Sequence, residues 1–325
     1  MLLRRVVPTA LATAAICACE PGVGYDAARN PQQTNYAVFD PAALPPQIPI
    51  PNDLALAQAG TVPGAQGDLL RLFVGQGGFP NDQEVPISID LVKVVVDPTG
   101  TQVRSKPDLD FGSVRICNGS TPNCNVAVMK VPPSTPLFVT DIDQPAATDY
   151  VTSGDHGTLN IRRTPRDTPT GAKTRTWDPG VQYVAAIRGG PNGVTVSGGQ
   201  PIYPQPAMYI IEQGKDLTKP ENQGLIPGSS AAEKAATALQ LEALRKQYEG
   251  TPASPGPFVL VSAAFPKTDI AVMTTFKIAP VGTNAPAAHV LNALDPGQFF
   301  FSDPVLIVNE TARIRHGNWL RAALD

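Results

Sequence analysis

Chemistry in this chain would fall to its serines, histidines, acids and cysteines, and their spacings are sparse. Serine nucleophiles sit on a sharp strand-to-helix turn and hand their proton to a distant histidine. No Gly-x-Ser-x-Gly stretch occurs, and His156, His289 and His316 have no serine or cysteine in such a turn to serve. Ser153-Gly154-Asp155-His156 places the three triad residue types within one turn, whereas triad members converge from separate segments, so it reads as loop chemistry. Gly228-Ser229-Ser230 reads as the entry to a helix. Gly75-Gln76-Gly77-Gly78 has the glycine content of a phosphate loop without the Lys-Ser/Thr that follows one, and no helix is expected after it. Asp141-Ile142-Asp143, with Asp149 and Asp155 nearby, offers the oxygen ligands that calcium takes; a surface acidic loop is the alternative reading.

Cys117 and Cys124 enclose Asn118-Gly119-Ser120-Thr121-Pro122-Asn123, turn-forming residues throughout. The flanks, Ser113-Val114-Arg115-Ile116 and Asn125-Val126-Ala127-Val128, are strand-like. A C-x6-C spacing without histidine partners speaks against zinc or a redox motif. The reading is a hairpin whose loop is stapled by a disulfide, worth about 2.5 kcal/mol for a ring this small. No cofactor and no metal set is expected.

The N-terminus carries a different chemistry. Arg4 and Arg5 precede an almost uninterrupted apolar run at residues 6–18, long enough for a secretory signal and too short to span a bilayer. Ile16-Cys17-Ala18-Cys19 then resembles the lipobox of bacterial lipoproteins, with Cys19 directly after the cleavage site. A thiol is required there because diacylglycerol is attached through a thioether, and the palmitate-type chains then hold the protein at a membrane. Cys17 is the poorer candidate, since bulky Ile16 would sit at the cut. Glu20 rather than Asp follows Cys19, so the usual inner-membrane retention signal is not matched and the outer membrane is the expected address, on a face left open. Loss of residues 1–18 removes Arg4 and Arg5 and no acid, taking the net charge from −3 to −5. Residues 19–35, polar and without hydrophobic periodicity, read as a flexible tether.

The elements that must position anything functional are mostly strands. With 35 Pro and 28 Gly in 325 residues, about 19% of the chain is Pro or Gly against a usual ~12%, which argues against long helical architectures. The negative balance, 25 basic against 28 acidic residues, argues against nucleic acid as a partner. The proline-rich stretch at 39–54 should lie extended along a sheet edge. Ile87, Ile89 and Leu91 share one strand phase while Val92, Val94 and Val96 share the other, so that strand is buried on both faces or bulged near Leu91. Tyr183, Ala185 and Ile187 alternate before Gly189-Gly190-Pro191-Asn192-Gly193 turns the chain into Val194-Thr195-Val196. Ile270, Val272, Thr274, Phe276 and Ile278 predict a half-buried antiparallel strand. One helix is expected, at 230–248: Ser230-Ala231-Ala232-Glu233 is a capping box, Gly250 terminates it, and Leu241, Leu244 and Tyr248 share a face. Arg245 and Lys246 should complement its dipole.

Three segments carry a family resemblance. Phe39-Asp40-Pro41 with Ile48-Pro49-Ile50-Pro51-Asn52-Asp53-Leu54 resembles the opening of bacterial Ig-like modules, found in large exported proteins and at the N-terminus of extracellular virulence-factor-type lipases. Gly78-Phe79-Pro80 with Val85-Pro86-Ile87-Ser88-Ile89 is similar to the segment leading into their next strand. Residues 181–190 and 269–276 look like the late strands of that family. The resemblance implies a mainly β fold, an Ig-like antiparallel β-sandwich over residues 36–280 with one inserted α-helix. The hydrolase domain of the lipase members is not implied, because only residues 281–325 follow and they hold no nucleophile motif. That stretch, with Phe299-Phe300-Phe301 and Trp319, is expected to fold back on the sandwich or to begin a further segment. The expected function is a non-catalytic, lipid-anchored envelope protein with a structural, adhesive or ligand-binding module; the alternative is an accessory module of a secreted lipase or esterase system.

Overall fold

The computed structural model describes residues 34–43, 46–62, 64–81, 84–97, 99, 101–131, 137–146, 157–168, 171–226, 228 and 230–281. β-Branched and aromatic runs supply its strands. A six-stranded sheet is built from β1 (Thr34–Ala37), β2 (Ile87–Val96), β3 (Gln102–Ser105), β6 (Thr158–Ile161), β10 (Thr195–Val196) and β11 (Gln200–Pro204), in the order β10-β11-β1-β2-β3 with β6 against the first half of β2. A four-stranded sheet follows the order β14-β9-β4-β5, using β4 (Val126–Lys130), β5 (Leu137–Phe138), β9 (Gln182–Arg188) and β14 (Ile270–Lys277). Two short ribbons complete the strands, β7 (Arg166–Asp167) with β8 (Lys173–Thr174) and β12 (Gly250–Thr251) with β13 (Ser254–Pro255). Side chains of both sheets enter one hydrophobic core, among them Ile87, Leu159 and Ile202 from the first and Val128, Ile187 and Phe276 from the second.

The chain is thus strand-rich, but it departs from an all-antiparallel layout with a single helix. β1 and β11 pair in parallel, Asn35 opposite Ile202, so the larger sheet is mixed. Besides α4 (Ala231–Glu249), the described residues form α1 (Asp53–Ala57), α2 (Gly64–Gln76), α3 (Pro206–Glu212) and α5 (Pro257–Val261). The thirteen-residue α2 was hidden by its glycines, which depress helix propensity. Gly67 is there for space: a Cβ would lie 1.8 Å from the Val62 carbonyl oxygen. The Gly75–Gly78 stretch therefore ends a helix, with Gly77 at φ +83°.

Three strand expectations also change. β2 pairs in unbroken register with β1 and β3, and burial moves from Ile87, Ile89 and Leu91 to Val94, because its second half runs out into an exposed hairpin with β3. β14 is buried from Ile270 to Phe276 rather than on one face, since α1 and α3 pack against it as well as β11. The segment before Cys117 is no hairpin partner of β4; Ile116 makes one parallel bridge to Val126, and residues 111–113 form a 3₁₀ turn. The helix at 230–248 is α4, capped as its sequence demands: the Ser230 hydroxyl accepts from the Glu233 N–H at 3.2 Å, and Gly250 takes φ +70°.

The segments that carry the family resemblance meet at one end of the smaller sheet. Asn52 caps α1, and the Asp53 carboxylate accepts from Gln182 Nε2 of β9 at 2.7 Å and from the Lys277 N–H of β14 at 3.1 Å. Burial pushes the Asp53 carboxyl up, against the pull of these bonds. Thr274 donates to the Pro51 carbonyl at 2.6 Å, and Phe79 bridges Ile278 in parallel. The proline-rich opening does not run extended along a sheet edge: Asp40 and Gln47 bridge each other antiparallel beside a turn at residues 41–43, Ile50 then bridges Ser88 of β2, and α1 begins at Asp53.

Candidate functional site

Where β9 leaves the smaller sheet, a half-open cavity of about 350 Å³ lies between residues 189–192, Tyr203 and Pro204 of β11, and Thr268 and Asp269 just before β14. Its walls are set by backbone. The Gly189 N–H donates to the Asp269 carbonyl at 2.7 Å, Gly193 to Gly190 at 3.0 Å, and Val194 to Arg188 at 3.0 Å. Only glycine fits at 189, because a Cβ there would stand 2.8 Å from the Ile202 carbonyl oxygen and 2.9 Å from the Ala271 Cβ. Gly190 takes φ +67°, a conformation an L side chain resists. Arg188 holds the Asp269 carboxylate through a single oxygen, with Nε at 3.0 Å and Nη2 at 2.7 Å from Oδ2. The other oxygen, Oδ1, has the Thr268 hydroxyl at 3.5 Å. Tyr203 is the aromatic residue of the lining.

A second cluster gathers charge around Trp177. Asp178 pairs with Lys130 at 2.5 Å and with Arg166 at 2.8 Å, and the Tyr183 hydroxyl donates to it at 3.0 Å. Arg163, only 2% exposed, pairs with Asp141, lies 3.6 Å from Asp178 and sits over the Trp177 ring at 5.5 Å. Burial alone would raise the Asp178 carboxyl, but the Lys130 and Arg166 bonds and the nearby Arg163 charge hold it well below the ordinary carboxylate range. Burial pushes the Tyr183 hydroxyl up to about 12, and the adjacent Asp178 charge adds to this. Trp177 Nε1 donates to the Val85 carbonyl at 2.6 Å, and its ring meets Tyr183 and Phe276 edge-on at 4.9 and 5.5 Å. With every carboxylate matched to a cation and the aromatics buried, this cluster does structural work.

That cluster changes the reading of the acidic loop. Asp141 is bound by Arg163 and Asp143 by Arg175; a calcium ion would have to displace buried and half-buried guanidinium groups. No group of three metal-ligating side chains occurs among the described residues. Asp149 and Asp155 lie outside them, as do Cys19, Ser153, His156, Ser229, His289, His316, Phe299-Phe300-Phe301 and Trp319. Ser230 is spent on the α4 cap. Arg245 does more than face the helix dipole: it is buried and clamps Glu242 at 2.6 Å and also Glu249, while Glu242 accepts from the Leu217 N–H at 3.0 Å. The Arg245 bond holds Glu242 below the ordinary range. Cys117 and Cys124 lie at disulfide distance, with Cα atoms 5.0 Å apart. Asn118 Oδ1 accepts from the Ser120 and Thr121 N–H groups inside their loop, and the Asn125 side chain bonds Arg115 and Ser113 at its base.

Neither the cavity nor the Trp177 cluster was found from the sequence. Its signals there were the crowded charges at Arg162-Arg163-Thr164-Pro165-Arg166-Asp167 and the Trp177-Asp178 pair, which no motif marks. The glycine turn at 189–193 was legible as a turn; that it walls a cavity with Tyr203 and Asp269 depends on strand pairing across β9, β11 and β14. No family model, no curated protein and no solved structure matches the chain.

Proposed function

We propose that the chain is a non-catalytic lipoprotein of the bacterial cell envelope, anchored to the outer membrane through lipid on Cys19, whose residues 36–280 form an Ig-like, ligand-binding or structural module. The observation that carries this reading is the Arg4-Arg5 pair, the short apolar run at 6–18 and Cys19 after Ile16-Cys17-Ala18. The cysteine pair at disulfide distance supports export, because such bridges persist in oxidising compartments. A sandwich is supported by two sheets that share one core. The family resemblance is supported by the way its separate segments bond to one another through Asp53, Gln182, Thr274 and Lys277. The cavity at residues 189–192 is where such a module would take a ligand.

Replacing Cys19 by Ser and fractionating cells tests the anchor: the variant should leave the membrane fraction, and unchanged membrane association would overturn it. The accessory-module reading draws on the same resemblance to lipases. A mature chain that turns over short-chain esters, with activity lost on replacing Ser153, Ser229 or Ser230 by Ala, would replace the non-catalytic reading.

A further inference from the structure

We infer that the cavity bounded by residues 189–192, Tyr203 and Asp269 binds a neutral saccharide unit. The inference rests on the ligand-binding reading above and names its ligand class. Charge comes first. Asp269 on the wall is already neutralised by Arg188, whose side chain is 15% exposed. An anion entering the cavity would meet the Asp269 carboxylate, and a cation would have to compete with a guanidinium held by two hydrogen bonds. The ligand that fits this balance carries no net charge.

Its polar groups follow from those on the wall. Asp269 Oδ1 is left by Arg188 and approached by the Thr268 hydroxyl only at 3.5 Å, so it can accept a further bond, and the amide of Asn192, an exposed residue of the lining, offers both a donor and an acceptor. A charge-neutral molecule that donates to a carboxylate oxygen and exchanges bonds with an amide is one rich in hydroxyls. Tyr203, Pro191 and Pro204 also line the cavity, residue types whose rings offer a surface to carbon-bound hydrogens. A pyranose has both sides, hydroxyls at its edge and an apolar C–H face. The volume of about 350 Å³ sits at the small end of ligand pockets and has room for a mono- or disaccharide. The backbone bonds that fix Gly189, Gly193 and Val194 hold these walls in place before a ligand arrives, which lowers the ordering cost of binding.

The test is amide NMR on the isotope-labelled mature chain, titrated with glucose, galactose, N-acetylglucosamine, cellobiose and lactose, and with glucosamine and glucuronate as charged probes. At least one neutral sugar should shift the amides of residues 189, 190, 192, 203, 268 and 269 along a saturable curve. Asn192→Ala, at an exposed position, should weaken that binding about fivefold without moving the thermal midpoint. Tyr203→Leu, which keeps apolar bulk and removes the aromatic face, should weaken it about tenfold. The assignment is overturned if no neutral sugar shifts these amides at roughly 50 mM, far above the weakest useful affinity. It is equally overturned if a charged probe binds more tightly than every neutral one, or if Asn192→Ala binds like the parent. A cavity that ignores sugars on a chain still lipidated at Cys19 overturns this assignment alone, whereas ester turnover overturns the reading beneath it.

Discussion

Asp178 is the residue on which most charge converges. It faces Lys130, Arg166 and Arg163; Arg163 keeps its bonds to Asp141 when the Asp178 charge is removed, but Lys130 and Arg166 lose the carboxylate they share. Asp178→Asn should destabilise the fold by roughly 1–2 kcal/mol in urea unfolding, because the Lys130 and Arg166 pairs it breaks are partly exposed. The pH dependence has a fixed sign. A carboxyl held low in the folded state adds stability above its unfolded value of 3.8, and that stability is lost as pH falls through the lower folded value. The parent should therefore lose stability below about pH 4 more steeply than Asp178→Asn. Gly189 offers a second test: Gly189→Ala drives a Cβ against Ile202 and Ala271 and should cost about 1–3 kcal/mol, and the cavity wall should move with it. At this scale the sequence shows residue types and not their partners. Asp141 and Asp143 look like calcium ligands until Arg163 and Arg175, more than twenty residues away in the chain, are seen bonded to them.

Local signals carried the elements they encode. α4 is legible because its start, stop and apolar face are all local: Ser230 caps it, Gly250 ends it, and Leu241, Leu244 and Tyr248 face the core. Ser230→Ala should lower stability by about 1 kcal/mol, and Ser230→Asp should restore it, as read by thermal unfolding. The loop between Cys117 and Cys124 was legible for the same reason, its turn chemistry lying within Asn118 and Ser120. Reducing the protein, or replacing both cysteines by Ser, should cost about 2.5 kcal/mol on the loop-entropy account. Mass spectrometry of envelope-purified protein should find neither thiol free. What was not legible depended on distant packing. α2 runs unbroken through Gly67, a poor helix former whose reason is the Val62 carbonyl of the preceding turn. The parallel pairing of β1 with β11 joins residues 167 apart, as Asn35 with Ile202, and no alternation in either strand announces its direction.

At the scale of the molecule, the proposed function divides the work between an N-terminal lipid and a β-rich body. On that proposal the lipid sets location, while the described residues hold many of their charges in pairs and include the cavity beside β9 inferred above to take a neutral ligand. No helix of the described residues is long and apolar enough to cross a membrane; in the proposed function, membrane attachment is through Cys19. The direct measurement is mass spectrometry of the N-terminal peptide from membrane-extracted protein. The account predicts a chain that begins at Cys19 and carries diacylglycerol in thioether linkage to its sulfur together with a further acyl chain on its amino group. A mature N-terminus at any other residue, or an unmodified Cys19 in protein that still sediments with the membrane, would contradict it.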